Sequence, residues 1–175
     1  MIVSKKINNY LAQLTDVHNN VNRQHMVLLR KAIQKEVFSN DELLFLRRYM
    51  IKKNIDKEYD KELLNINFGK FLRNMQVLLS YEIKKAHAHH ILYKCGIGKK
   101  QKDLVKIGQA ILCKYGINYI VGLENLVWAP NIQVQHTKEN LQKLVEALIK
   151  ADADGTDYCG IKRILKYYGE EASQR

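Results

Sequence analysis

The spacing of apolar positions in the first half of the chain predicts helices. Ser39-Asn40-Asp41-Glu42 is a capping-box signature and predicts a helix start just before the apolar residues 43–46. A second apolar stripe predicts a helix from Phe68 to Tyr81. The earliest stripe recurs at intervals of three, four and seven and comprises Ile7, Leu11, Leu14, Val17, Val21, Leu28 and Leu29. Residues 1–81 are therefore predicted to form a helical bundle.

The pattern changes near residue 84. A short strand candidate at 85–92 is followed by two glycines, and a second candidate at 125–129 ends at Pro130. Helices are predicted over 102–115, with Gly116 just beyond the end, over 137–150 and over 161–168. The fold class is therefore α+β and mostly helical, with a helical region at 1–81, a second domain at 82–152 and a C-terminal helix at 153–175.

Composition limits the class of protein. The 175 residues are 46% hydrophobic, which is enough for a core, and no apolar run approaches the roughly 20 residues needed to span a bilayer. The N-terminus has no apolar core typical of a Sec signal peptide. Three distant cysteines form no disulfide or zinc-ribbon spacing. We expect reduced thiols and a location in the cytoplasm of the producer, or delivery into the cytoplasm of a target cell.

The net charge is +11, and the excess of basic residues is densest in one stretch. Between residues 84 and 106, seven lysines stand against one acid, Asp103. Such a run is often only a solvated face. Because it directly follows a cluster of histidines, however, it indicates a surface that attracts phosphate.

Three of the six histidines, His87, His89 and His90, lie within four residues of each other, and His136 follows in the same half. Neutral imidazole binds transition metals and also acts as a general base near neutral pH. One metal-binding histidine beside one basic histidine is suited to hydrolysis of phosphodiesters. From spacing alone, an exposed basic loop remains an equally good interpretation.

The local sequence favours the first interpretation. Ala88-His89-His90-Ile91-Leu92, the segment at 112–117, Glu124-Asn125-Leu126-Val127 and His136-Thr137-Lys138 together resemble the AHH nuclease family. That family belongs to the HNH/endonuclease VII superfamily and often forms the C-terminal domain of bacterial polymorphic toxins. The resemblance covers roughly residues 84–150. It implies a ββα-metal fold for the domain at 82–152.

The resemblance also implies roles for individual residues. His89 and His136 would bind one divalent metal ion (magnesium, manganese, nickel or zinc), His90 would be the general base, and Asn125 would brace the loop and orient that base. Asn140, one helical turn after His136, is a candidate third ligand or phosphate contact, where the family commonly has an aromatic residue. Nucleic-acid contacts are expected from Lys94, Lys99, Lys100, Lys102 and Lys138.

Two features of the motif raise geometric questions. Adjacent side chains on a regular strand point to opposite faces, so His89 and His90 need a twisted strand end to face one cleft. His87 shares the face of His89, and we assign it at most a supporting position. Gln135 stands where the family has a small residue, which bears on how tightly the chain turns before His136.

The sequence therefore predicts a metal-dependent endonuclease that cuts DNA with little sequence preference. A bacterial toxin or effector is the expected context. Its partner would be an acidic immunity protein. A ribonuclease of the same fold is the nearest alternative, and a non-catalytic zinc-containing nucleic-acid-binding module is the second. A helical adaptor is suggested by residues 1–81 alone.

Overall fold

The computed structural model describes residues 5–14, 23–80 and 82–175. Val17, Val21 and Tyr81, which belong to the predicted stripes, lie outside these residues. The protein is α+β and mostly helical, as predicted. It divides into two compact units, Met1–Gln76 and Val77–Arg175. The second unit thus includes the C-terminal helix that the sequence analysis set apart.

The first unit is built from helices that bury one apolar face each. Their bounds are α1 Lys5–Leu14, α2 Arg23–Lys35, α3 Asn40–Lys52, α4 Asp56–Leu63 and α5 Phe68–Asn74. The predicted capping box is present, because the Ser39 side chain accepts from the Glu42 backbone and the Glu42 side chain accepts from the Ser39 backbone. The core comprises Ile7, Leu29, Ile33, Phe38, Leu43, Leu46, Met50, Tyr59, Leu63, Phe71 and Leu72.

The helix predicted from Phe68 is shorter than the apolar stripe suggested. α5 ends at Asn74, and Gln76 adopts a positive φ of 57°, a conformation that cannot continue a right-handed helix. Leu78 is 91% exposed, so the end of the stripe does not contribute to the core. The prediction of a helix as far as residue 81 is therefore wrong from residue 75 through residue 80.

A two-stranded antiparallel sheet organises the second unit. Strand β1 (Ala86–His90) pairs with β2 (Leu126–Pro130), with Ala86 opposite Pro130 and His90 opposite Leu126. Both strands were predicted within a few residues, because each is short and bounded by glycine or proline. The long connection between them carries helix α6 (Gly98–Lys114). Gly116 follows the helix with a φ of 73°, the left-handed conformation expected of the glycine just beyond a helix end.

Two further helices complete this unit. α7 (Lys138–Ala153) begins after Thr137, whose side chain accepts from the Asn140 backbone, and α8 (Tyr158–Gln174) begins after Asp157, whose side chain accepts from Gly160. α7 packs against α6 and α8, and α8 packs against β2. Their shared core includes Leu92, Val105, Leu112, Leu141, Leu144, Val145, Leu148, Ile161 and Leu165.

Among the described helices, none has the length and apolar character needed to cross a membrane.

Candidate metal centre

Three imidazole rings lie close together, two of them on strand β1. His87, His89 and His136 each offer one ring nitrogen, and these nitrogens all lie within 4.8 Å of one another. The ring centroids of His89 and His136 are 4.9 Å apart. Three imidazoles at this spacing are a donor set for a divalent transition metal.

Strand geometry places two of these rings together. His87 and His89 are two positions apart on β1 and therefore point to the same face of the sheet. The Nδ1 of His87 lies 3.0 Å from the carbonyl oxygen of Ala129 on β2. Because a carbonyl oxygen only accepts, this nitrogen carries the proton and the lone pair stays on Nε2. The structure thus brings His87 into the cluster, whereas the sequence analysis gave it at most a supporting position.

His136 reaches the cluster through a clamped segment before α7. The Tyr93 hydroxyl lies 2.7 Å from the carbonyl oxygen of Gln135 and 3.0 Å from that of Thr137, so it holds the backbone on both sides of His136. Gln135 is fully buried, and its side-chain nitrogen donates to the carbonyl oxygen of Ala172 on α8 at 2.6 Å. These contacts fix the turn that the sequence analysis singled out at Gln135.

His89 has the chemistry of a metal ligand. Its ring is buried, and its Nδ1 has no hydrogen-bond partner. Burial, together with the neighbouring His136 and His87, lowers the pKa of His89 to about 3. The ring is therefore neutral at physiological pH. A buried imidazole nitrogen without a hydrogen-bond partner costs folding free energy unless it binds a ligand. The three histidines therefore fit a bound cation.

His90 lies beside the cluster with a different set of contacts. It is buried, and its Nε2 lies 2.9 Å from the carbonyl oxygen of Ile120. That contact places the ring proton on Nε2 and the lone pair on Nδ1. Burial lowers the pKa of His90 to about 3, although the bond to Ile120 opposes the shift. His90 and His89 both line one cavity of about 310 Å³, together with His87 and His136.

The loop that holds His90 is organised by Asn118. Its side-chain oxygen accepts from the backbone nitrogens of Ile120 and Val121 at 3.0 and 3.2 Å, and its own carbonyl accepts from Gly122. This turn orients the Ile120 carbonyl oxygen toward His90. Asn118 is a positioning residue that the sequence analysis missed, although an asparagine after a helix-ending glycine is a typical turn signal.

Asn125 braces the same loop from the other side. It is fully buried; its side-chain oxygen accepts from the Leu92 backbone at 2.6 Å, and its side-chain nitrogen donates to the carbonyl oxygens of Leu92 and Tyr119 at 3.0 and 2.8 Å. These bonds join the end of β1 to the loop before β2. Asn125 thus makes no contact with the imidazole cavity, and its effect on His90 is through the backbone.

Replacing Asn125 by alanine is expected to destabilise the protein by about 2 to 4 kcal/mol, because three buried backbone groups lose their partner. Urea denaturation followed by circular dichroism measures this loss. The matched control is Asn131→Ala, since Asn131 is exposed just after β2; it is expected to change stability by less than about 0.5 kcal/mol. Equal stability of the two variants would contradict the bracing role.

The lysines predicted to contact nucleic acid lie in three places. Lys94 lines the cavity. Lys99, Lys100 and Lys102 are exposed in the first turns of α6, and Lys138 is exposed at the first position of α7. The first turn of α6 contains no acidic residue.

Asn140 is placed differently from the histidines. Its side-chain nitrogen donates to the carbonyl oxygen of Val134 at 2.8 Å, and the residue does not line the cavity that His87 and His136 share. It borders a separate cavity with Lys143, Tyr168 and Arg175, and a smaller pocket that His89 also lines. His87 is the third imidazole that the geometry brings to His89 and His136. The assignment of Asn140 as a ligand stays a prediction.

No family model matches the sequence, and comparisons with curated proteins and with solved structures found no match. The resemblance to the AHH nucleases therefore rests on the motif residues themselves.

Proposed function

We propose that the second unit is a metal-dependent endonuclease that hydrolyses phosphodiester bonds of DNA with little sequence preference. One observation carries this proposal: three convergent imidazoles share a cavity with a fourth, His90, whose ring has a different hydrogen-bond partner. A purely structural metal site has no use for the fourth ring. The order β1, β2, α7, with His89 on the first strand and His136 just before the helix, also supports the ββα-metal arrangement.

His87, His89 and His136 would hold one divalent ion. Three protein donors leave at least one coordination position open, which is typical of catalytic sites and not of structural ones. When bound, such an ion supplies Lewis-acid stabilisation of the charge that develops on the phosphate and on the leaving oxygen. The bond from His87 to Ala129 and the clamp around His136 hold two of the donor rings in place before binding.

His90 would act as the general base. The Ile120 carbonyl oxygen keeps the ring proton on Nε2, so Nδ1 can accept a proton from the attacking water. The same carbonyl oxygen then stabilises the positive charge on the ring through the Nε2–H bond. Because burial lowers its pKa, His90 is neutral at physiological pH, which is the protonation state that a general base needs, and the bond to Ile120 favours the protonated ring by opposing that shift.

Substrate would be held through its phosphates. Lys94 lies at the cavity, and the exposed lysines of α6 extend the positive surface away from it. Contacts to phosphate position a nucleic acid without reading its bases, so cleavage at many sequences is expected.

Incubation of the purified protein with supercoiled plasmid is expected to give nicked and linear DNA in the presence of a divalent ion. EDTA should abolish cleavage, and addition of excess magnesium, manganese, nickel or zinc in separate reactions should identify the ion that restores it. Total RNA in parallel tests the ribonuclease alternative. Bound metal without cleavage of either substrate would overturn the proposal in favour of a zinc-containing binding module.

A further inference from the structure

A large apolar side chain stands at the rim of the imidazole cavity. Ile97 lines this cavity and is 82% exposed. Single exposed apolar residues are ordinary on protein surfaces. Ile97 differs because of how rigidly its loop is held and because of the charges that surround it.

The loop before α6 is fixed at several points. Gly96 is buried so closely against the backbone of Gln101 and Lys102 that a Cβ there would overlap both. The backbone nitrogen of Ile97 donates to the side-chain oxygen of Gln101 at 2.8 Å, and the side-chain nitrogen of Gln101 donates to the carbonyl oxygen of His136 at 3.5 Å. Gln101 thus connects the backbone of Ile97 to the backbone of His136, one of the candidate metal ligands. The side chain of Ile97 is held outward beside the metal centre.

The surrounding charge identifies the class of molecule that would cover it. Lys99 and Lys100 lie in the first turn of α6, where the helix dipole is already positive and where acidic residues are favoured. Lys94 and Lys102 flank the same loop, Lys94 on the cavity and Lys102 exposed. These lysines add positive charge to the positive end of the helix dipole. Such a surface favours a polyanion as its ligand.

We propose that Ile97 inserts between neighbouring base pairs of a bound DNA duplex from the minor groove, beside the phosphate held at the metal centre. Apolar side chains inserted in this way unstack a base step and bend the duplex, while flanking basic residues bind its phosphates. The inference rests on the proposed function. It adds that the enzyme deforms double-stranded DNA next to the cleavage site instead of only binding its backbone.

The test measures unstacking without cleavage. A short duplex that carries 2-aminopurine, whose fluorescence rises when it is unstacked, is titrated with protein in EDTA, and anisotropy of an end label reports binding. Wild-type protein is expected to raise the 2-aminopurine signal at saturation. Ile97→Ala should bind with little rise, and its kcat/KM for duplex cleavage with the ion restored should fall about 10-fold. Ile107→Ala is the matched control, since Ile107 is 43% exposed on α6, the helix that follows Ile97, and does not line the cavity.

The outcomes separate this inference from the nuclease proposal. A rise that depends on Ile97 and not on Ile107 supports insertion. Wild-type protein that cleaves plasmid and binds the duplex without a rise overturns insertion and leaves the nuclease standing. A wild-type rise without any cleavage overturns the nuclease alone. An absence of duplex binding, or an equal rise with Ile97→Ala, also overturns insertion.

Discussion

Replacing His90 by alanine is expected to lower kcat for plasmid cleavage by about 10²- to 10⁴-fold, the range that general bases contribute. The three donor rings remain in this variant, so the bound metal should stay at the wild-type stoichiometry. The loss of activity is expected because Nδ1 of His90 is the proposed proton acceptor, and the metal is expected to stay because Nε2 of His90 donates to the Ile120 carbonyl oxygen and is not one of the three proposed donors. Single-turnover cleavage and metal analysis of the same preparation measure both quantities.

Because His90 is buried, its loss could also disturb the loop around Ile120. Added imidazole distinguishes the two causes, since a small base that enters the vacated space should restore part of the activity of His90→Ala if proton transfer is what was lost. His90→Gln, which keeps a polar side chain, should remain inactive and should fold with a Tm near that of the wild type. Plasmid cleavage by His90→Ala at the normal rate would overturn the assignment of the base.

Replacing His87 by alanine is expected to weaken metal binding more than the roughly 10- to 100-fold that follows loss of a hydrogen bond to a metal ligand. Titration calorimetry with zinc, nickel and manganese measures the affinity. Thermal unfolding gives an independent readout, because an ion at about 100 times its Kd stabilises the folded protein by about 2.7 kcal/mol. At an ion concentration that saturates the wild type, His87→Ala should lose much of this increase in Tm.

Asn140→Ala is the informative comparison for His87→Ala. The sequence motif offers Asn140 as a third ligand, whereas the structure directs its amide to the Val134 carbonyl oxygen. We expect Asn140→Ala to bind metal with nearly wild-type affinity. If Asn140→Ala loses metal and His87→Ala retains it, the ligand set of the motif is correct and the set drawn from the geometry is not.

The local elements of the fold were predictable because local interactions decide them. Ser39 caps a helix, Gly116 ends one and Pro130 ends a strand, each through backbone geometry within a few residues. The end of α5 was not predictable from its apolar stripe. The stripe continues to Leu78 and Leu79, but both side chains are exposed, and the backbone at Gln76 leaves the helical region.

The candidate site was predictable in its residue types and less so in its arrangement. The sequence identified His89, His90 and His136 as the residues to examine, and the period of the strand already placed His87 on the face of His89. It did not show that the Ala129 carbonyl oxygen would hold His87 by its Nδ1. That contact joins β1 to β2. The alternation of side chains along one strand does not show which backbone group of the paired strand lies opposite.

The sequence by itself determined which segments of the second unit form helices and strands, and which histidines lie near one another along the chain. The helix bounds were less exact, since α6 begins four residues before its predicted start and α8 ends six residues after its predicted end. Only the tertiary structure decided the direction of each ring. Tyr93 and Gln135 hold the segment of His136 through contacts to distant backbone, and the Ile120 carbonyl oxygen accepts from Nε2 of His90. The physical reason is that hydrogen bonds between segments far apart in sequence orient these rings, and local periodicity cannot encode them.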